Sequence, residues 1–369
     1  MKITCSKNDL IEACQALSKA IANKAPTPII SGIYMKAEGS TLELQANNFE
    51  IGVIAKIPVN TEIPGEIVVT GKYLQEIIKK LSGEVVSISE EENHTITIQS
   101  ETASFKLLCM SAEDFPKVKS PEIYASFKMK KKVLKNLIRK TAYACASDDA
   151  RPIFTGCYLD ITGNDVTMAA TNTHRIAVIK ETVDESIDNI SLVIPSKSLW
   201  EVSRLIDSSN ESTDVFIECS RKNVSFTFDN IYFTSRLIDG QFPPYDKVIP
   251  KTSTTVATVN VAEMLDAVDR VALISKENEY KTIRFMFSQG SINISSDSPD
   301  VGKAEENISA VVEGPDLDIS FNVIYIIDIL RAADTDEVVI KLNQHLSPVD
   351  IREKDNDNFI YIVTPVRTN

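Results

Sequence analysis

Apolar positions along this chain recur in two periods, and the two periods alternate in the same order three times. Leu10, Ile11, Cys14, Leu17, Ser18 and Ile21 follow helical i, i+3, i+4, i+7 spacing and predict an amphipathic helix over about 7–22. Val133, Leu134, Leu137, Ile138 and Ala142 predict a second over about 130–146. Met264, Leu265, Val268, Val271 and Ala272 predict a third over about 261–275. After each comes a run of period two, at 42–46, 166–170 and 291–294, which reads as a half-buried strand. An apolar strand then leads straight into another helix at Ile67-Val68-Val69-Thr70-Gly71-Lys72, at Leu192-Val193-Ile194-Pro195-Ser196-Lys197 and at Ile319-Ser320-Phe321-Asn322. Hairpins close each round: 95–99 into 104–109, 224–228 into 232–237, and 349–353 into 359–363.

The closing strands show the period. Phe105, Phe233 and Tyr361 are spaced by 128 residues, and Asp114-Phe115-Pro116 reappears as Gln241-Phe242-Pro243. Solenoid units repeat every ~20 to 50 residues, so this is a whole domain present in three copies. Strands follow strands without intervening helices, which disfavours parallel α/β winding. The expected fold is α+β, with two helices and roughly eight strands per copy. Proline-bearing linkers at 117–124 and 247–255 set expected domains of 1–121, 122–249 and 250–369.

Composition narrows the function. Apolar content of 43% and charged content of 25% are those of a globular protein. No run approaches the ~18 apolar residues of a membrane span, and the start lacks a leader-like apolar core, so a cytoplasmic protein without membrane contact is expected. Six cysteines without a C-x-x-C pair suit a reduced, buried role, and three scattered histidines offer no zinc spacing. Asp160, Asp165 and His174 are not accompanied by a nucleophile motif, a phosphate loop or metal spacing, so neither enzyme nor cofactor is expected. Asp355-Asn356-Asp357-Asn358 lacks the glycine and closing glutamate of a calcium loop and reads as a hairpin turn.

Net charge is −13, but its distribution is uneven. Lys128, Lys130, Lys131, Lys132, Lys135, Arg139 and Lys140 contain no acid among them, and elsewhere 32 cations face 52 anions. An acidic shell with one concentrated basic element suggests a positive surface facing one way. Lys131, Lys135 and Arg139 fall at i, i+4, i+8, opposite the Leu134/Leu137/Ile138 stripe, as a row facing an anionic ligand would. Net charge alone argues against a nucleic-acid ligand and favours a peptide-binding scaffold as the alternative.

Ala170-Thr171-Asn172-Thr173-His174-Arg175-Ile176-Ala177-Val178, Asp239-Gly240-Gln241-Phe242-Pro243-Pro244-Tyr245 and Val363-Thr364-Pro365-Val366-Arg367 resemble the bacterial sliding-clamp family, the β subunits of DNA polymerase III. The resemblance runs the full length. It implies the DNA-clamp fold: three tandem domains, two chains joined head to tail as a ring around double-stranded DNA, and no catalysis. It implies a processivity factor whose partners, the replicative polymerase, the clamp loader and repair proteins, dock through short linear motifs. Channel cations would be Lys24, Lys72, Lys79, Lys80, Lys131, Lys135, Arg139, Lys197 and Arg204. Phosphate contacts position without reading sequence, which sliding requires. Glu263, Asp266 and Asp269 outnumber Arg270 and Lys276 on the third-copy helix, so DNA would lean toward the first two copies.

The resemblance also implies a peptide groove between copies two and three. Its residues would be Phe154, Thr171, Thr173, His174, Arg175, Ile176, Pro243, Lys247, Val248, Asn322, Tyr325, Leu346, Pro348, Ile362, Thr364, Pro365, Val366 and Arg367, with His174 and Arg175 as rim donors. Two departures stand out: Thr173 replaces a common glycine and Thr364 a usual methionine, which suggests a smaller, stiffer pocket. Ring closure would bring Phe105 and Leu107 against Leu273 and Ile274 of a second copy to form a homodimer. Asp300, Glu305 and Glu306 would face bases such as Lys72 or Lys106.

Overall fold

The structure, a computed structural model, describes residues 1–22, 27–119, 121–148, 150–207, 213–275 and 281–367. Copy one runs β1 (Lys2–Ser6), α1 (Lys7–Leu17), β2 (Gly32–Glu38), β3 (Thr41–Asn47), β4 (Ile51–Ile63), β5 (Gly65–Thr70), α2 (Gly71–Lys80), β6 (Val85–Glu91), β7 (Thr95–Ser100) and β8 (Ala103–Met110). Copy two runs β9 (Ile123–Lys130), α3 (Lys131–Thr141), β10 (Gly156–Thr171), β11 (Arg175–Pro195), α4 (Ser196–Asp207), β12 (Asp214–Ser220), β13 (Asn223–Phe228) and β14 (Ile231–Arg236). Copy three runs β15 (Thr255–Asn260), α5 (Val261–Ser275), β16 (Thr282–Ser288), β17 (Ser291–Ser298), β18 (Gly302–Ser309), β19 (Val311–Glu313), β20 (Leu317–Asn322), α6 (Val323–Ala332), β21 (Glu337–Leu342), β22 (Val349–Glu353) and β23 (Phe359–Val363). The fold is α+β with two helices per copy. In copy two, β10 and β11 are each continuous where copy one has two strands.

Local chemistry sets the helix ends. The Ser6 hydroxyl accepts from the Asp9 N–H at 3.4 Å to cap α1, and the Asn322 side chain accepts from the Ile324 N–H at 2.9 Å to cap α6. The first two long helices stop earlier than the apolar period suggests, because 18–20 and 142–144 tighten into 3₁₀ turns. α5 keeps the expected bounds.

The strand pairing explains how the copies combine. The first half of β4 pairs antiparallel with β14, and its second half pairs with β1. β11 pairs in the same way with β23. Copy two is thereby shared, and the chain forms two compact units, 1–132 with 197–237 and 133–196 with 238–369. In the first unit the sheet runs β1-β6-β7-β8-β5-β2-β3-β4-β14-β13-β12-β9, and the extra β1–β4 pairing closes the copy-one strands on themselves. Leu10, Leu17, Leu74 and Ile78 of α1 and α2 are fully buried there. In the second unit one sheet runs β10-β11-β23-β22-β21-β15-β19 and another β18-β17-β16-β20. Met264, Val268 and Val271 of α5 are buried with Ile326 and Leu330 of α6. Each such side chain contributes about 1.5–3 kcal/mol.

Among the sheet edges that stay open in the described residues, which include β9, β10, β19 and β20, two bear on assembly. β18 pairs only with β17, and β8 pairs with β7 along its length but with β5 only at Cys109 and Met110. No helix among the described residues is long and apolar enough to cross a membrane.

Candidate functional site

The second unit brings most of the expected groove residues together around the turn between β10 and β11. The Asn172 side-chain oxygen accepts from the N–H groups of His174 and Arg175 at 3.0 and 3.1 Å, and Thr171 Oγ1 donates to the Arg175 carbonyl at 2.7 Å. This is an Asx turn in which the side chain stands in for backbone partners. Across the adjoining strand, the Thr364 N–H and Oγ1 both donate to the His174 carbonyl at 2.8 Å, while Ile176 and Ile362 are register partners. The Asn172 amide donates to the Tyr325 hydroxyl at 3.1 Å, and the Val366 N–H donates to the Ser320 carbonyl at 2.8 Å. His174 is exposed.

Arg175 is not a rim donor. It is only 7% exposed. Its guanidinium lies 5.4 Å from the Tyr143 ring centroid and 4.5 Å from that of Tyr325, donates to Asp328 Oδ2 at 2.6 Å and also donates to the Tyr143 carbonyl. The planar cation stacks where an ammonium could not. Burial opposes its charge, but the neighbouring Tyr361 and Asp328 outweigh burial and raise its pKa. Arg175 therefore fixes the turn from beneath, and the partners that hold it, Tyr143 and Asp328, lie far away in sequence.

Thr173 carries the strain of this turn. Its φ is +78°, left-handed backbone that β-branched residues avoid. Such strain costs about 1–3 kcal/mol, of which glycine's greater chain entropy would return about 0.5–1 kcal/mol. Thr173→Gly is expected to stabilise the fold by about 1 kcal/mol, read as a higher urea midpoint with unchanged slope. A midpoint at or below the parent's would contradict this account of the turn.

Beneath the turn lies an apolar floor of Ala169, Val178, Val193, Phe242, Ile360 and Ile362, with Ile153, Tyr158, Ile176, Ile238, Tyr245 and Ile249 packed against it. Phe242 stacks on Tyr158 at 5.2 Å and meets Tyr245 edge-on at 6.5 Å. Pro243, Lys247 and Val248 continue the segment from Phe242, the last two exposed. Phe154 lies under Arg151, whose guanidinium is 5.1 Å from the ring and also donates to Thr173 Oγ1 at 3.4 Å. Arg151 and Phe242 are missing from the sequence-based expectation, although the repeated Phe-Pro of Phe115-Pro116 and Phe242-Pro243 does mark the latter. Leu346, Val366 and Arg367 line a separate polar cleft of about 1290 Å³ together with Arg284, Asp318 and His345.

The expected cation row on α3 is only partly present. Lys131 is 8% exposed, with its ammonium 3.0 Å from Asp229 Oδ2 and 5.6 Å from the Phe228 ring centroid. As the first residue of α3, it has its N–H bound to the Thr213 carbonyl at 2.9 Å, and its side chain is held against the sheet. Arg139 donates to the Ala332 carbonyl at 2.9 Å, at the C-terminal end of α6, and to Asp334 at 2.5 Å. A cation there complements the helix dipole. Lys135 is half-buried and Lys132 exposed. Lys72, Lys79 and Lys80 stand exposed on α2, as do Lys197 and Arg204 on α4, with Arg204 paired to Glu201 at 2.8 Å. Lys24 and Lys276 lie outside the described residues. On α5, Asp269 pairs with Arg331 at 3.2 Å, which offsets part of its acidity.

At the open edges, Phe105 is exposed and Leu107 half-buried on β8, and Leu273 is 62% exposed beside half-buried Ile274 on α5. Glu306 is already held by Arg270 at 2.9 and 2.5 Å, and Lys106 by Glu91 at 2.9 Å.

Comparison with known proteins gives one consistent result. Family models described as the N-terminal, central and C-terminal domains of the DNA polymerase III beta subunit match residues 1–119, 128–244 and 246–367. A beta sliding clamp of Bacillus subtilis is 32% identical over 379 residues, and one of Staphylococcus epidermidis 30% identical over 377, each match covering all of both chains. Among solved structures, the DNA polymerase sliding clamp of Bacillus subtilis aligns with a TM-score of 0.95 at 32% identity, covering both chains fully. A DNA polymerase III beta subunit from Thermotoga maritima aligns with a TM-score of 0.93 at 26% identity, and a sliding clamp of Pseudomonas aeruginosa bound to griselimycin with 0.94 at 28%, again over both full chains.

Proposed function

Because the chain belongs to the bacterial sliding-clamp family, the β subunits of DNA polymerase III, we propose that two copies join head to tail into a ring around double-stranded DNA. Membership makes it a processivity factor and a non-catalytic accessory subunit of a DNA polymerase. We assign its domains to 1–121, 122–249 and 250–369 and its site of action to the cytoplasm. The groove around 171–176 and 362–366 would tether the replicative polymerase, the clamp loader and repair proteins through short motifs. Arg151 beside the turn and Lys247 on the segment from Phe242, both exposed, favour acidic segments.

One observation carries the ring. The two internal junctions share a register, and the edges of β8 and β18 are the pieces needed to make it a third time. In each copy the third of the alternating buried positions counted from Leu42, Val166 and Ile292, namely Ala46, Ala170 and Ser296, lies opposite Val53, Ala177 and Ala304 respectively; in copy three the alternation runs on to Ser298. Val53 pairs with Phe233, and Ala177 with Tyr361. Phe105 is the 128-residue counterpart of those aromatics, so in the ring it faces Ala304 of a second copy, and Lys106 faces Lys303. A head-to-tail contact that closes in this way gives a ring and covers both of these edges. Leu273 and Ile274 would then meet Phe105 and Leu107 of the other copy. Exposed Lys72, Lys79, Lys80, Lys197 and Arg204, with Lys24 and Lys135, remain the proposed phosphate contacts, whereas buried Lys131 and Arg139, held at the end of α6, become structural residues.

The register is open to a direct test. Lys106 and Lys303 are both exposed, so cysteines there leave the core intact. Lys106→Cys with Lys303→Cys is expected to oxidise to a disulfide-linked dimer. Lys106→Cys with Asn307→Cys, four residues out of register, is expected to stay monomeric on a denaturing gel. Equal crosslinking of both pairs, or of neither, would remove this register.

A further inference from the structure

We propose that copy one carries a second peptide-docking pocket, and that its occupant is a short linear segment of another protein, an aliphatic or aromatic anchor flanked by lysine or arginine. The pocket, about 540 Å³, lies within the first unit and is lined by Ile29, Ile30, Phe49, Met110, Asp114 and Pro116, among others. A volume of this size suits one or two apolar side chains. The inference rests on the reading of the 171–176 turn as peptide-binding, because the pocket is that turn and its floor built a second time.

The correspondence holds atom by atom. The Asn48 side-chain oxygen accepts from the N–H groups of Glu50 and Ile51 at 3.0 and 2.8 Å, as that of Asn172 does from His174 and Arg175 at 3.0 and 3.1 Å. Phe49 has φ +70°, matching the +78° of Thr173. A proline-led 3₁₀ turn forms one wall in each place, with Ser31 Oγ donating to the Pro28 carbonyl at 2.6 Å and Thr155 Oγ1 to the Pro152 carbonyl at 2.8 Å. Tyr34 stacks on Phe115 at 5.4 Å, as Tyr158 stacks on Phe242 at 5.2 Å. Ile29 and Met110 pack on the first pair, as Ile153 and Ile238 do on the second.

Charge distinguishes the two sites. Where the copy-two turn presents Thr173 and His174 beside Arg151, copy one presents Phe49 and Glu50, with Glu113 and Asp114 exposed on the segment that lines the pocket. Phe49 is 59% exposed, an aromatic ring held out at the mouth. An apolar floor with an acidic mouth complements an apolar anchor between cations, the reverse of what the copy-two groove favours. Two kinds of client could therefore occupy one chain together.

The test uses the full-length dimer and two labelled synthetic peptides, Lys-Leu-Phe-Leu-Lys and Asp-Leu-Phe-Leu-Asp, followed by fluorescence anisotropy. Phe49→Ala and Asp114→Lys alter exposed side chains, so melting temperatures should stay at the parent's value. Each is expected to weaken the cationic peptide at least tenfold and to leave the acidic peptide unchanged. His174→Glu, in the copy-two groove, is expected to weaken the acidic peptide only. No saturable binding of the cationic peptide, or binding indifferent to both Phe49→Ala and Asp114→Lys, would overturn the second pocket. Indifference of the acidic peptide to His174→Glu would instead overturn the groove reading, a result separable from the first. Mutual competition between the two peptides would also overturn the second pocket, since it requires a shared site.

Discussion

Replacing Lys140 with alanine is expected to cost about 3 kcal/mol of stability and to lower the melting temperature of the affected transition by roughly 6–12 °C. Lys140 is 2% exposed, with its ammonium 2.6 Å from Glu353 Oε1, 3.0 Å from Asp334 Oδ2 and 4.7 Å from the Phe359 ring centroid. Truncation strands the Glu353 carboxylate in the interior. Breaking a buried pair in this way usually costs about 3–5 kcal/mol. The lower end applies because Glu353 keeps bonds from the Asp334 N–H and the Asn356 amide, each at 2.6 Å. Lys140→Met combined with Glu353→Leu should recover most of the loss, since it removes both charges and fills the volume.

The same cluster sets a pH dependence. Burial pushes the Asp334 carboxyl up, but the hydrogen bonds and charges of Lys140 and Arg139 outweigh it and hold the group below its ordinary value. A depressed carboxyl contributes stability above its unfolded pKa and loses it as pH falls through the folded value. The parent should therefore lose more stability than Lys140→Ala on going from neutral pH to below 4. A single-mutant loss under 1 kcal/mol, or an equal acid response in both proteins, would contradict the role assigned to Lys140.

Changing Leu273 to aspartate is expected to weaken the dimer about 100-fold or more while leaving the monomer folded. Leu273 is exposed on α5 in the single chain, so the substitution leaves the core untouched. In the proposed ring it packs against Phe105 and Leu107 of the other copy, and a carboxylate there would be buried without a partner. Anchors of this kind carry about 2–4 kcal/mol of an interface, and a stranded charge adds to the loss. Sedimentation at micromolar concentration should show two chains per particle for the parent and one for Leu273→Asp, with equal melting temperatures for the isolated chains. An unshifted dimer would remove Leu273 from the interface.

Elements with a strong period were legible in the sequence. Met264, Val268, Val271 and Ala272 of α5, which are buried as their period indicates while Leu265 is half-buried, the three closing hairpins and the spacing of Phe105, Phe233 and Tyr361 rest on local repetition that a linear reading captures. What escaped it depends on distant partners. Lys131 and Lys140 belong to a run that looks like a solvated face, yet their acids, Asp229 and Glu353, lie 98 and 213 residues away. Arg175 reads as a surface cation until Asp328, 153 residues on, is brought beside it. Arg139 belongs to the end of α6 for the same reason. The sequence also does not show that copy two is divided, because strand pairing between copies joins β14 to β4 and β11 to β23 without any signal in either strand alone. The left-handed backbone at Phe49 and Thr173 is likewise masked by residues that ordinarily avoid it. At Thr173 the family's usual glycine hinted at the conformation.

Topology is the central claim, and a covalently closed ring tests it. The Lys106→Cys, Lys303→Cys protein would be loaded onto a nicked circular plasmid by an ATP-driven clamp loader, oxidised, and passed through a sizing column in denaturing detergent. Encirclement predicts that the crosslinked dimer elutes with the intact circle and is released once a restriction enzyme linearises it. Release from the circle by detergent alone, or retention on the linear form, would show that grip rather than encirclement holds the protein to DNA.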